Sequence, residues 1–182
     1  MAPQTQDERI ALVWSLIRDV PDFPKPGVVY KDITPLLADP VGYRASIDAL
    51  VEAAPHGIDV VVGMEARGFV FAAPVALALG VGFVPVRKSG KLPMDVYSES
   101  FALEYGSDTL NVHQDAIRAH ARVLVIDDVL ATGGTVGATS RLLKHLGADL
   151  VHVSVVMELG FLGGRANLAS MGISSVGALI TI

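Results

Sequence analysis

VLVIDDVLATGGT, residues Val123–Thr135, is the stretch on which the reading of this chain turns. Four apolar residues run together without polar alternation, which suits a strand buried on both faces, as in a parallel sheet. Two adjacent acids, Asp127 and Asp128, follow, and then a loop of small and hydroxyl residues that opens a helical pattern from Thr135 to Leu146. Ligands of open α/β sheets bind beyond the carboxyl ends of the strands, so the loop after this strand is the first candidate site. Backbone N–H groups of Gly133 and Gly134 at a helix N-terminus, with the Thr132 and Thr135 hydroxyls beside them, make a cradle for an anion such as phosphate. Two carboxylates next to such a cradle would repel the ligand unless they bind another part of it. Neighbouring sugar hydroxyls meet that requirement, directly or through Mg²⁺ held by the sugar and a second phosphate group. The loop lacks both the Gly-Lys-Ser/Thr ending of nucleotide triphosphate loops and the G-x-G-x-x-G spacing of dinucleotide folds.

Outward from this segment the same rhythm repeats. Apolar runs at 59–64 (DVVVGM), 82–86 (GFVPV), 149–158 (DLVHVSVVME) and 173–182 (ISSVGALITI) read as further strands, and helical patterns from Phe69 to Leu79 and from Leu162 to Ser170 separate several of them. Strand and helix in alternation predict an α/β fold with right-handed crossovers and a mostly parallel twisted sheet flanked by helices. Near the N-terminus, Ile10, Val13, Trp14 and Ile17 mark one face of a helix from Glu8 to Arg18 that Val20-Pro21 should end. A proline-rich loop, FPKPGVVYKD, follows. Asp39-Pro40 then reads as an N-cap with proline at the first helical position. Between Arg87 and His120 the rhythm changes to a hairpin insertion, led by a polar loop at about 88–100 that is expected to be a mobile lid.

Composition narrows the function classes. A chain of 182 residues predicts one domain with one core. No cysteine is present, which excludes a disulfide framework and a thiol nucleophile and favours a cytoplasmic location. A net charge of −5 is the wrong sign for nucleic-acid or anionic-membrane binding. The opening MAPQTQDER is acidic and polar where a secretory signal is basic and then apolar. Gly68 to Val86 carries no charge, but two prolines and two internal glycines divide it into a short helix and a strand, against a membrane span. The five histidines show no metal-ligand spacing.

The segment Val123–Thr135 resembles the phosphoribosyl pyrophosphate (PRPP) signature of the type I phosphoribosyltransferases, and its ATGGT ending resembles their adenine-specific branch. Further matching segments follow in order: FPKPGVVYKDITPLL (Phe23–Leu37), MEARGF (Met64–Phe69), RKSGKLP (Arg87–Pro93) with ALEYG (Ala102–Gly106), and MELGFLGGR (Met157–Arg165). The resemblance implies the type I fold over residues 1–182, with a small base-binding hood mainly at 20–37. It implies transfer of the phosphoribosyl group of PRPP to adenine, giving AMP and pyrophosphate, with Mg²⁺ held mainly by PRPP and water. Asp127 and Asp128 would take the ribose hydroxyls, and Ala131, Thr132, Gly133, Gly134 and Thr135 the 5-phosphate. Ala66, Arg67, Arg87, Lys88, Lys91 and Tyr105 would surround pyrophosphate, arginine suiting the task through its fixed fork and permanent charge. Val29, Tyr30, Lys31 and Leu159 would meet adenine. Relatives that act on 6-oxopurines carry Asp where this chain has Ala131, so Glu104 is the acid implied at adenine N7, with Arg67 sharing the catalytic load. The family pattern is a homodimer in which Arg87 could reach across the interface. A xanthine or other purine transferase of the same branch, and a PRPP-binding regulator without turnover, are the alternative readings.

Overall fold

The computed structural model describes residues 5–102 and 107–182. The chain divides into two compact units, Met1–Glu52 and Ala53–Ile182.

In the first unit Thr5 caps helix α1 (Gln6–Ser15) through a reciprocal pair: its hydroxyl accepts from the Glu8 N–H at 3.3 Å, and the Glu8 carboxylate accepts from the Thr5 N–H at 2.9 Å. The helix stops before the expected Arg18. Residues Arg18–Pro21 instead form strand β1, antiparallel to β2 (Val29–Asp32) drawn from the proline-rich loop. The pairing wins because Arg18 faces Asp32 and its guanidinium closes on that carboxylate, while Pro21 sits at the strand's end, where a missing N–H costs nothing in the ladder. Asp32 also accepts from the Thr34 N–H at the start of helix α2 (Thr34–Ala38), and this bond first, then Arg18, holds its pKa at about 2. Asp39 caps helix α3 (Pro40–Glu52) as expected, accepting from Val41 N at 3.0 Å and Gly42 N at 2.7 Å.

The second unit carries a seven-stranded sheet. Its elements are β3 (Val60–Met64), α4 (Arg67–Leu79), β4 (Gly82–Lys88), β5 (Val96–Ala102), β6 (Ser107–His113), β7 (Arg122–Leu130), α5 (Gly134–His145), β8 (Asp149–Glu158), α6 (Gly164–Ser170) and β9 (Val176–Thr181). The order is β5-β6-β4-β3-β7-β8-β9; β4, β3, β7, β8 and β9 run parallel, while β6 is antiparallel both to β4 and to the edge strand β5. The mostly parallel sheet matches the sequence reading. Both faces are covered, which explains why these strands lack alternation. Val60, Val62, Val123 and Val125 join one buried cluster with Val136 and Leu142 of α5 and Leu168 of α6. On the other face Gly63 lies against α4, where a Cβ at 63 would come within 2.6 Å of the Ala72 Cβ. The chain leaves β3 toward β4 on one side and later returns to β7 on the other, so a crevice opens between the carboxyl ends of β3 and β7.

The segment at about 88–100, expected from the sequence to be a lid, is partly strand. Val96–Ser100 belong to β5, paired along their length with β6, because Tyr97 and Phe101 alternate onto the buried cluster and hold the strand in place. Glu104 and Tyr105 lie outside the described residues. The uncharged run from Gly68 to Val86 is α4 followed by most of β4, and among the described residues no helix is long and apolar enough to cross a membrane.

Candidate active site

The crevice between β3 and β7 holds a cleft of about 440 Å³ whose wall includes Glu65, Ala66, Arg67, Lys88 and every residue from Asp127 to Val136. β7 delivers Asp127 and Asp128 to its floor with only 9% and 4% of their surface exposed. Burial pushes the Asp127 carboxyl well above the usual carboxylate range, and the Asp128 charge pushes it the same way. Asp128 is also raised by burial, with Arg67 opposing the rise. The Asp128 N–H donates to Asp127 Oδ1 at 2.9 Å, fixing that carboxylate against its own strand. Two buried acids that resist ionisation gain most from a ligand bringing several O–H donors, which is what adjacent sugar hydroxyls offer.

Above the acids, the first turn of α5 opens onto the cleft. Gly133 stands at its N-cap with φ +85°, a conformation that a residue with a Cβ resists, and no side chain caps the turn. The first backbone bond of the helix runs from Gly137 N to Gly133 O at 2.9 Å, so the N–H groups of Gly134, Thr135 and Val136 precede the helical ladder, where an anion is favoured. This loop is braced from behind by α6. Asn167 Nδ2 donates to Thr132 O at 2.8 Å, and a Cβ on Gly164 would overlap the Ala131 carbonyl oxygen.

Arg67 opens α4, two residues earlier than the sequence pattern placed the helix start, and Ala66 is its N-cap; the Glu65–Ala66 peptide is cis. Arg67 Nε meets Asp128 Oδ2 at 2.9 Å, so the residue assigned to pyrophosphate and one assigned to ribose share one ion pair. The fit depends on Gly68, where a Cβ would stand 2.8 Å from Asp127 Oδ1. Lys88 lines the cleft from the end of β4 and pairs with Asp108 at 2.9 Å.

Other predicted residues are placed differently. Arg87 donates to Glu65 at 3.2 Å and to the Lys91 carbonyl at 3.2 Å, and neither Arg87 nor Lys91 is part of the cleft wall. Leu159 follows β8, where its N–H donates to Leu130 O at 2.9 Å. Val29, Tyr30 and Lys31 belong to β2 in the first unit; Tyr30 meets Phe23 edge to face at 5.2 Å, and Lys31 pairs with Asp19 at 2.6 Å. Sequence reasoning passed over Glu65, which accepts from Arg87 and from the Lys88 N–H at 3.0 Å and thereby ties the two basic residues to the end of β3. Those bonds hold its carboxyl below the ordinary range, the Lys88 N–H first. Its place in MEARGF, beside Ala66 and Arg67, was the available signal. Asn167 carried none, because its partner is a backbone carbonyl 35 residues away.

Residues 42–164 match the model of the phosphoribosyl transferase domain family. The chain is 66% identical to the adenine phosphoribosyltransferase of Cutibacterium acnes over 94% of its own length and 97% of that relative's. Among solved structures, the adenine phosphoribosyltransferase of Thermoanaerobacter pseudethanolicus superposes with a TM-score of 0.90 at 44% identity, covering 95% of this chain and 99% of that one. The Saccharomyces cerevisiae enzyme, solved with an iminoaltritol bisphosphate and adenine, gives 0.88 at 39% identity, covering 95% and 99%. Matched along nearly its whole length, and with paired acids and an anion-binding helix start sharing one cleft, the chain belongs to the phosphoribosyltransferase family, within its adenine phosphoribosyltransferase branch.

Proposed function

We propose that this protein transfers the 5-phosphoribosyl group of PRPP to N9 of adenine, forming AMP and releasing pyrophosphate. The observation that carries the reading is the meeting, in one cleft, of a buried acid pair, an uncapped helix N-terminus and an arginine. These suit a ribose diol, a terminal phosphate and a departing diphosphate. Naming of the relatives as adenine enzymes supports the choice of base.

In the reaction the bond from C1 of the ribose to pyrophosphate breaks as N9 bonds to C1, and positive charge spreads over the sugar ring, as in glycoside chemistry. Asp127 and Asp128 would hold the diol, fixing the ring while C1 passes between partners. The loop from Ala131 to Thr135 would anchor the 5-phosphate through backbone N–H groups, so that binding energy remote from C1 serves orientation. Ala66, Arg67 and Lys88 would take the charge developing on pyrophosphate, with Arg87, Lys91 and Tyr105 in support. Arg67 must then exchange its partner Asp128 for phosphate oxygens or share itself between them. We assign Val29, Tyr30, Lys31 and Leu159 to adenine, and Glu104 to the proton at N7.

Mg²⁺ fits this site as a passenger on the substrate. Two adjacent carboxylates, one already committed to Arg67, are too few for a protein cage around so small a cation, which prefers substrate oxygens and water. Asp127 and Asp128 would therefore reach it through the ribose hydroxyls and water. When bound, the ion neutralises charge on the leaving diphosphate. We infer further that the chain is one functional domain with a hood at 20–37 and a lid in the loop before Val96. A homodimer and a cytoplasmic location complete the reading, the latter in keeping with the absence of cysteine.

Product formation from PRPP and Mg²⁺ with adenine, hypoxanthine, guanine and xanthine offered separately tests the proposal. AMP should form at least about a hundredfold faster than any other nucleotide, the margin expected where buried polar groups read a base edge. Comparable rates with xanthine, or binding of PRPP without turnover of any base, would overturn it.

A further inference from the structure

The β5–β6 hairpin meets the rest of the sheet along a short seam. Its register with β4 consists of Arg87↔Asn111 and Lys88↔Leu110. Three further β5–β6 pairs, Ser100↔Thr109, Phe101↔Asp108 and Ala102↔Ser107, extend past the end of β4. Backbone pairing with β4 therefore does not fix the tilt of that outer half, and side chains must. Glu99 sits opposite Leu110, at the level of the last shared pair. By strand alternation it shares a face with Tyr97 and Phe101, which pack onto the buried cluster beneath α5.

There its carboxylate bridges two residues of α5. Oε2 accepts from Arg141 Nε at 2.7 Å, and Oε1 lies 2.8 Å from His145 Nε2. Arg141 and His145 are four residues apart and so occupy one face of the helix. Arg141 Nη2 also donates to the Ser100 carbonyl at 3.1 Å, and the His145 ring stacks on Tyr97 at 5.3 Å and 21°. The Glu99 side chain is only 19% exposed, and its carboxyl is held below the ordinary range by Arg141 and then His145. An isolated surface ion pair would contribute little. One carboxylate gripped at both oxygens, beside a backbone carbonyl and a ring stack, fixes geometry instead.

α5 is the helix whose first turn lines the cleft, and Arg141 lies six residues along it from Thr135, about 9 Å at the helical rise. On the other side, β5 leads into residues 103–106, which include the acid assigned to adenine N7. We propose that Glu99, gripped by Arg141 and His145, is a positioning residue that locks the hairpin to α5, so that the phosphate cradle and the stem of the hairpin keep one relative placement during catalysis. The inference rests on the phosphoribosyl-transfer reading. Small misplacements far from the reacting atoms can cost as much as about a hundredfold in rate, so a link of this kind should be visible in turnover.

The test compares wild type with Glu99→Gln, Glu99→Asp, Arg141→Met and the double variant Glu99→Gln/Arg141→Met. Steady-state kcat and KM are measured with PRPP and adenine, and the affinity for ribose 5-phosphate by calorimetry. Glu99→Gln and Arg141→Met should each lose about tenfold in kcat, with KM for PRPP and the ribose 5-phosphate affinity within about twofold of wild type. Glu99→Asp, which keeps the charge, should recover at least about a third of the wild-type kcat. The double variant should lose clearly less than the product of the two single losses, because both break the same ion pair. A kcat for Glu99→Gln within twofold of wild type, additive losses, or ribose 5-phosphate affinity falling in step with kcat would each overturn the proposal, the last by showing that the cradle itself had collapsed. If Glu99→Gln fails to fold by circular dichroism, Arg141→Met carries the test in its place, with the same kinetic signature expected. A wild-type chain that makes no AMP overturns the underlying reading, whereas an active wild type beside an equally active Glu99→Gln overturns only the link.

Discussion

Asp127 stores a conflict between stability and function. Its folded carboxyl binds a proton more tightly than the unfolded one, through burial and then the neighbouring Asp128 charge. Folding therefore takes up a proton above the ordinary carboxylate range near 3.8, stability falls as pH rises from there toward the folded value, and the cost is complete above both. Asp127→Asn removes that cost yet keeps an Oδ1 acceptor for the Asp128 N–H. The variant should therefore melt higher than wild type at about pH 8, with no gain at about pH 3.5. PRPP affinity should drop at least tenfold, the scale of a lost hydrogen bond to a charged group. Calorimetric melting at the two pH values and titration with PRPP check both halves; a lower melting temperature at the higher pH would refute the assignment of strain. At this scale the sequence was informative where chemistry is adjacent along the chain. Two acids before a glycine turn stand out in any context. The Arg67–Asp128 pair did not, because its partners come from different strands' ends and meet only once β3 and β7 lie side by side.

Between elements, the contact that shapes the phosphate loop is α6 against the turn before α5. Gly164→Ala places a methyl group where the Ala131 carbonyl oxygen lies, so either α6 or the loop must shift. The expected result is a loss of about 1–3 kcal/mol in chemical denaturation, as for other overpacked sites. Because the displaced carbonyl belongs to the proposed cradle, KM for PRPP should rise several-fold with little change in KM for adenine. Equal effects on the two substrates would show that the contact serves the fold alone. The central strands and α3, α4 and α5 were legible in advance, since burial on both faces and capping residues leave marks a single segment can carry, as in Val123–Ile126 and Asp39-Pro40. The β1–β2 ribbon was not. Arg18 reads as the last helical residue and Val20-Pro21 as a mere stop, and only pairing with residues eight to fourteen positions on makes this segment a strand. The same cause hid Val96–Ser100, whose polar sequence reads as a loop until Tyr97 and Glu99 are seen to face α5.

For the molecule as a whole, the assignment of Mg²⁺ to the substrate makes a thermodynamic statement that melting can read. A ligand that binds only the folded chain stabilises it by an amount set by its concentration over its dissociation constant, about 2.7 kcal/mol at a hundredfold excess. For a chain of this size that is about 5–10 °C in melting temperature. PRPP with Mg²⁺ should produce such a shift. Mg²⁺ alone should produce almost none, since of the three carboxylates in the cleft wall Asp128 is already paired with Arg67 and Glu65 with Arg87, and the ion keeps its water unless phosphate oxygens replace it. EDTA added to the ligand-free chain should therefore leave the melting temperature unchanged, while EDTA added with PRPP should remove most of the shift and all turnover. A ligand-free chain that melts lower in EDTA would place the ion in the protein and overturn the assignment.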